Sequence, residues 1–267
     1  MSKIFLPCYQ TEYMFPIHKA RASVFNYDDI PAGYYFQVMA KGSGVQRFWH
    51  RKKFEEVAKK IGKSDRLLDI GCGPGSFLFV VGQIKPDVQA VGVDVASRQI
   101  EFAIKNVQSQ FKQGNISFQK LKSDDVKLPF PDESFDKVTC IEVIEHIHPH
   151  LAMKLLEEAR RVLKPTGRLT VTTPNYRSLW PLIEFALELL SPVKYHEQHI
   201  SKFTPNAFAK FLEAAGYEIK NFSTIFIVAP FFMTISPPLA RFLHRIERKL
   251  PLLLGSLLMA ECKISRL

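Results

Sequence analysis

The stretch LLDIGCGPGSF, Leu67 to Phe77, decides the fold: an apolar strand runs into Asp69, then Gly71, Gly73 and Gly75, and a helix-like segment follows. Glycines at that junction let the backbone turn sharply and approach a ligand closely. Working outward, short apolar runs rich in β-branched residues at Arg66 to Ile70, Gln89 to Val93, Ile116 to Lys120, Lys137 to Ile141 and Arg168 to Thr173 are each separated by room for a helix. That alternation predicts βαβ units and a parallel sheet. Ser97 is expected to cap a helix reaching about Gln108, and Leu151, Leu155, Ala159 and Val162 mark another from about Leu151 to Leu163. Thr204-Pro205 opens a third, which continues to Ala215 and stops at Gly216. Tyr217 to Val228 and Ser256 to Ile264 read as a closing antiparallel pair, interrupted between Pro230 and Pro251.

The chain has 267 residues, 46% of them hydrophobic and 23% charged, which fits one large globular domain and excludes disordered, collagenous and coiled-coil classes. A surplus of 36 Lys+Arg over 26 Asp+Glu, net +10, favours phosphates, anionic headgroups or acidic substrates. Four cysteines without a CxxC suggest neither a zinc framework nor disulfides, and a reducing compartment. No secretory signal is read, and the apolar stretches Ile225 to Ile235 and Leu250 to Ala260 fall short of the roughly 18 residues that span a bilayer. The expectation is a cytoplasmic protein that at most leans on a membrane. Residues 1–61 read as a cap and lead-in helix: Tyr34-Tyr35-Phe36 comes first, and Phe48-Trp49-His50 leads into a charged helix to Ile61. Residues 62–267 form the main domain, with insertions at about 176–203 and 230–251; the first carries an apolar helix, Leu179 to Leu190, then His196 and His199. The aromatics Tyr34, Tyr35, Phe36 and Trp49 suit either a water-excluding lid or packing between cap and sheet.

The acidic residues choose the ligand. A nicotinamide dinucleotide would want a glycine where Ser76 stands, and would bring its pyrophosphate against Asp69. S-adenosylmethionine carries an ammonium and a sulfonium instead, which a carboxylate at the strand end favours. Asp94, at the tip of the second strand in AVGVDVA, can accept from both ribose hydroxyls. Asp124 and Asp125, after the third strand, could take the adenine amino group.

With DIGCGPG, GVDVA, SDDVKLPFPDESFD, CIEVIEHI, LKPTGRLTVTTPN and FTPNAFAKFLEAAGYE in order from about Leu67 to Tyr217, the chain resembles the class I S-adenosylmethionine-dependent methyltransferases, of the UbiG-like kind. The resemblance implies a Rossmann-like seven-stranded, mostly parallel α/β sheet with helices on both faces, a reversed last strand, an N-terminal cap and an insertion after strand 5. It implies S-adenosylmethionine held by Asp69, Gly71, Gly73, Gly75, Asp94, Val95, Asp124, Asp125 and Glu142, and an acceptor above the fourth and fifth strands.

There CIEVIEHIHPH concentrates Glu142, Glu145, His146, His148 and His150, and helical spacing would put Glu142, Glu145 and His146 on one side. Glu145, His146 and His199 are the expected catalytic groups. E-x-x-E-H with a later His also looks like the metal set of RNA 3′-terminal ribose methyltransferases and of UbiG-type O-methyltransferases. That likeness implies Glu142, Glu145, His146 and His199 as candidate ligands of Mg, Mn or Zn, with His196 as a substitute for His199. Leu239, Phe242, Leu243, Ile246 and Leu250, with Arg241, Arg245, Arg248 and Lys249 between them, make 237–250 an amphipathic basic helix, either a peripheral membrane contact or a helix packed on the sheet. The expected activity is methyl transfer to a small-molecule or lipid-linked acceptor at oxygen. The alternatives are RNA ribose methylation, for which no RNA-binding appendage is read, and a catalytically silent binding protein.

Overall fold

The computed structural model describes residues 29–112, 114–122, 126–190, 198–247 and 254–265, with the side chains of 186–190 left aside. Seven strands form one sheet in the order β3-β2-β1-β4-β5-β7-β6. They are β1 Arg66–Ile70, β2 Gln89–Asp94, β3 Ile116–Lys120, β4 Phe135–Ile141, β5 Leu163–Pro174, β6 Tyr217–Ile225 and β7 Leu257–Ile264. β1 pairs parallel with β2 and β4, β2 with β3, and β4 with β5. β7 enters between β5 and β6, antiparallel to both, so the last strand is the reversed one.

Side-chain alternation along these strands feeds two cores. Leu68, Ile70, Val138, Cys140, Leu258 and Ala260 look to one face, where α5 (Pro149–Val162) and α7 (Pro205–Ala214) cover them. Leu67, Ala90, Leu257 and Met259 look to the other, against α2 (Gly44–Ala58), α3 (Ser76–Ile84) and α4 (Ser97–Asn106). α5 shows the logic: Ala152, Leu155, Leu156, Ala159 and Val162 are buried on one stripe, each large side chain contributing roughly 1.5–3 kcal/mol. α7 starts as expected, the Thr204 hydroxyl accepting from the Ala207 N–H at 3.4 Å with Pro205 in the first turn.

Three local expectations change. Ser97 does not cap α4; Ala96 holds the cap position without a side-chain bond, and the Asp94 carboxylate accepts the Ala96 N–H. Phe48-Trp49-His50 lies inside α2, because Ser43 and Gln46 form a capping box that starts the helix at Gly44. β5 begins at Leu163, directly after α5, where Leu163 pairs with Phe135 ahead of a bulge. α1 (Tyr34–Lys41) lies beside α2, and Phe36 packs on Phe79 and Phe102 at 5.1 and 5.6 Å between ring centres, a packing role. Beyond β5 stands α6 (Trp180–Leu190), and beyond β6 a 3-10 segment (Ala229–Thr234) and α8 (Pro237–Glu247). No helix among the described residues is long and apolar enough to cross a membrane.

Candidate functional site

The carboxyl ends of β1, β2 and β4 bring the first group of residues together. Asp69 is buried and accepts the Thr139 hydroxyl from neighbouring β4 at 2.7 Å. Burial pushes its carboxyl up to about 7; the Thr139 bond opposes this and the Asp94 charge adds to it. The Gly71 and Cys72 N–H groups both donate to the Val93 carbonyl, at 2.8 and 3.0 Å, which fixes the glycine loop to β2. Gly71 has φ +71°, and a Cβ there would stand 2.3 Å from Val143 Cγ2, so packing alone demands glycine. Gly73 differs: with φ +50°, a Cβ would meet nothing within 4 Å. That side of the loop is open, a cradle with room for a ligand.

Asp94 organises the cradle from β2. Its Oδ2 accepts the Gly73 N–H at 2.7 Å and its Oδ1 the Ala96 N–H at 2.9 Å, and a carboxylate can accept more donors than these two. Val95 beside it is exposed, and Gly75, at φ +78°, precedes α3. These residues suit a ligand with hydroxyls and positive charge, as S-adenosylmethionine has. Asp124 and Asp125 lie outside the described residues, as does His196.

A second group follows β4. The helical face expected for Glu142, Glu145 and His146 does not form; only Ile144–His146 makes a single 3-10 turn. Glu142, at φ +53°, turns away to an ion pair with Lys53, a buried lysine of α2. Glu145 turns inward and is fully buried, and its backbone carbonyl accepts the N–H groups of Ile200 and Ser201, which ties the later insertion to this turn. Neither Glu145 carboxyl oxygen has a hydrogen-bond partner at ordinary distance, although the Thr173 hydroxyl lies near. Burial, then repulsion from Glu142, pushes that carboxyl well above the usual range.

His146 Nδ1 donates to the Gln198 carbonyl at 3.0 Å, and burial, then the neighbouring His199, lowers the imidazole to about 4. His199 is buried with Nδ1 2.5 Å from Glu184 Oε1, while the Tyr176 hydroxyl donates to both Glu184 oxygens at 3.0 and 3.2 Å. Burial alone would raise Glu184, but the bonds from His199 and Tyr176 outweigh it and hold the carboxyl below its ordinary value. The two imidazole centres stand 4.9 Å apart, and donor atoms of Glu145, His146 and His199 all lie within 4.8 Å of one another. Glu142 is not in this cluster. His148 and His150 are exposed and stack on each other at 5.9 Å. Trp180 roofs the cluster, 6.3 Å from His199 and 5.8 Å from Trp49.

Sequence reasoning missed four members of this site: Thr139, Tyr176, Glu184 and Lys53. Glu184 carried a signal, being the lone acid in the apolar run Trp180 to Leu187. Lys53 carried none, since Lys52 beside it faces solvent far more.

A family model described as "Methyltransferase domain" matches residues 42–221. The ubiquinone/menaquinone biosynthesis C-methyltransferase UbiE of Geotalea daltonii is 28% identical over 171 residues, 62% of this chain and 70% of that protein. The 27-O-demethylrifamycin SV methyltransferase of Amycolatopsis mediterranei is 34% identical over 107 residues, 40% of this chain and 38% of that protein. Among solved structures, magnesium protoporphyrin IX methyltransferase from Synechocystis PCC 6803 with bound SAH superposes with a TM-score of 0.60 at 14% identity, covering 91% of this chain and 98% of that one, and so shares the fold. With the glycine loop, the two strand-end aspartates and the reversed last strand, that match places the chain in the class I S-adenosylmethionine-dependent methyltransferase family, to which it belongs.

Proposed function

We propose that this methyltransferase acts on a hydroxyl oxygen of a small-molecule or lipid-linked acceptor. The observation that carries the oxygen reading is the His199–Glu184 pair. A carboxylate on Nδ1 fixes the imidazole proton there and leaves the Nε2 lone pair as a base, which a hydroxyl nucleophile needs and an amine can do without. Relatives divide between carbon and oxygen acceptors by name, UbiE on one side and the demethylrifamycin enzyme on the other.

S-adenosylmethionine, when bound, supplies an activated methyl group. Asp94 and the Gly71–Gly75 loop would hold its adenosyl end, and Asp69 its cationic part. The chain's own task is then alignment, exclusion of water by Trp49 and Trp180, and removal of the acceptor proton by His199. Incubation with methyl-labelled S-adenosylmethionine and separated lipid, small-metabolite and RNA fractions tests the reading: base-stable label in an ether of the first or second supports it, and label only in RNA or at carbon refutes it.

A second reading is favoured by the orphaned Glu145 oxygens. A divalent ion could be held by Glu145, His146 and His199, whose Nδ1 atoms already bond to a carbonyl and a carboxylate, as metal-binding imidazoles commonly do. An ion there would lower the pKa of a bound hydroxyl in place of a base. Full turnover in excess chelator, with no metal retained, rejects the ion; turnover abolished and restored by added Mg, Mn or Zn establishes it.

Asp69 makes donor affinity depend on pH. Its folded value of about 7 lies above the usual 3.8, so between these the native state keeps a proton that the unfolded chain has lost, and its contribution to stability falls as pH rises. A cationic ligand reverses the preference by favouring the carboxylate. Affinity for S-adenosylmethionine is expected to rise up to about pH 7 and then level off, with proton release on binding below that value. Calorimetry in buffers of different ionisation enthalpy measures both, and Asp69→Asn should flatten the profile.

A further inference from the structure

α6, the 3-10 segment Ala229–Thr234 and α8 are anchored on one aromatic row. Trp180 of α6 packs on Trp49 at 5.8 Å, Trp49 on Phe226 at 4.5 Å, and Phe226 on His244 of α8 at 5.6 Å. α8 seats on this row through buried Ala240 and His244, the His244 Nε2 lying 3.3 Å from Glu56. Leu243 packs against the core beneath, but the other apolar residues of α8 do not cover the sheet: Leu239, Phe242 and Ile246 are exposed, Phe242 by 55%. α6 leaves Leu182 and Phe185 69% and 64% exposed, and the 3-10 segment with the residue that follows it adds Phe231 and Ile235, the latter 77% exposed.

The described charges on these elements sort by sign, the Glu188 side chain of α6 lying outside the described ones. Glu184 of α6 is turned inward to His199 and Tyr176. Glu247 of α8 is used up locally, its Oε1 accepting the N–H groups of Val228 and Ala229 at 2.6 and 2.9 Å and so capping the 3-10 segment. Between Lys220 and Arg241 the chain carries no charge at all. What faces outward is apolar surface with Arg177, Arg241 and Arg245, all exposed.

We propose that this surface docks the protein on an anionic lipid bilayer, α8 and the 3-10 segment lying in the headgroup layer with α6 beside them. Apolar side chains entering the acyl boundary and arginines at the phosphate level are the combination that binds such a surface. A second copy of the chain is a poor occupant, because two arginine-bearing faces of a molecule with net charge +10 would be brought together. Because α6 also holds Glu184 against His199, the docked face lies next to the acceptor cluster. The inference stands whichever acceptor is methylated.

Co-sedimentation with vesicles tests it. The wild-type protein should bind phosphatidylcholine vesicles containing about one third phosphatidylglycerol at least tenfold more tightly than pure phosphatidylcholine, and lose most of that advantage in high salt. Arg241→Ala with Arg245→Ala should weaken binding about tenfold or more, and Phe242→Ser with Ile235→Ser by a similar factor, while S-adenosylhomocysteine affinity stays at the wild-type value and reports an intact fold. Wild-type protein left in the supernatant with both vesicle types overturns the proposal. So does binding unchanged in both double variants, or a dimer in sedimentation equilibrium that the Phe242 and Ile235 changes dissolve without effect on vesicles.

Discussion

Asp94→Ala is expected to lower affinity for S-adenosylmethionine and S-adenosylhomocysteine by about two orders of magnitude or more. Two effects add. The carboxylate lost would have accepted ribose hydroxyls, and hydrogen bonds to a charged acceptor contribute roughly 1.5–3 kcal/mol each, against about 1.4 kcal/mol per tenfold in affinity. The cradle itself also loses its organiser, since Gly73 and Ala96 both donate to this one side chain. The Gly73 N–H sits at the half-exposed loop, where water can replace the carboxylate, but Ala96 is buried, so the unliganded protein should lose about 1–3 kcal/mol of stability. Calorimetric titration with S-adenosylhomocysteine, paired with a thermal melt of the unliganded variant, separates the two. Wild-type affinity in a folded Asp94→Ala protein would remove Asp94 from the ligand site. Asp94→Asn keeps one acceptor oxygen and should fall between.

The parallel core was legible because its signals are local. A strand whose apolar residues are buried on both faces, as in Leu67 to Ile70, cannot be mistaken for a surface helix, and a glycine loop after it fixes the direction of the chain. The aspartates at the tips of β1 and β2 followed from the same register, since strand ends and their loops are adjacent in sequence. Boundaries were harder where two cues compete. The sequence pattern starts the fifth strand at Arg168, yet Phe135 of β4 pairs with Leu163 ahead of a bulge and extends β5 backward. Ser97 has the chemistry of a cap, but Asp94 satisfies the first N–H of that turn from two residues earlier and makes a second cap unnecessary.

The acceptor side was only half legible, because its members come from segments far apart in sequence. Glu145, His146 and His199 were named from composition and resemblance, and the structure does gather them. Glu142 was grouped with them on helical spacing. After β4, however, the backbone takes a left-handed residue and one 3-10 turn, which sends adjacent carboxylates in opposite directions, one to Lys53 and one into the core. No periodicity rule foresees that. Pairings across 89 residues, as between Lys53 and Glu142, leave no trace in a single sequence.

Loss of the base should be as damaging as loss of the cradle, and in a different parameter. His199→Ala is expected to reduce kcat by about 10²- to 10⁴-fold, the range for removing a general base, with S-adenosylhomocysteine affinity unchanged. Glu184→Gln is the sharper test because it preserves shape. Glutamine can turn its NH₂ group toward His199 Nδ1, and the Tyr176 hydroxyl, 2.8 Å from that nitrogen, can donate to it as well; with Nδ1 accepting, the ring proton moves to Nε2, and the proposed base has no lone pair to offer. Turnover should therefore fall by a factor approaching that of His199→Ala, although nothing that touches the acceptor has been removed. Nitrogen-15 chemical shifts of the His199 ring give a readout independent of any acceptor: Nδ1–H in the wild type, Nε2–H in the variant. A metal at the same cluster predicts otherwise. Its ligand would be weakened rather than reversed, bound ion would be lost from Glu184→Gln, and excess ion would restore rate. Wild-type turnover with the tautomer switched would rule out His199 as the base, and rescue by metal would make it a ligand.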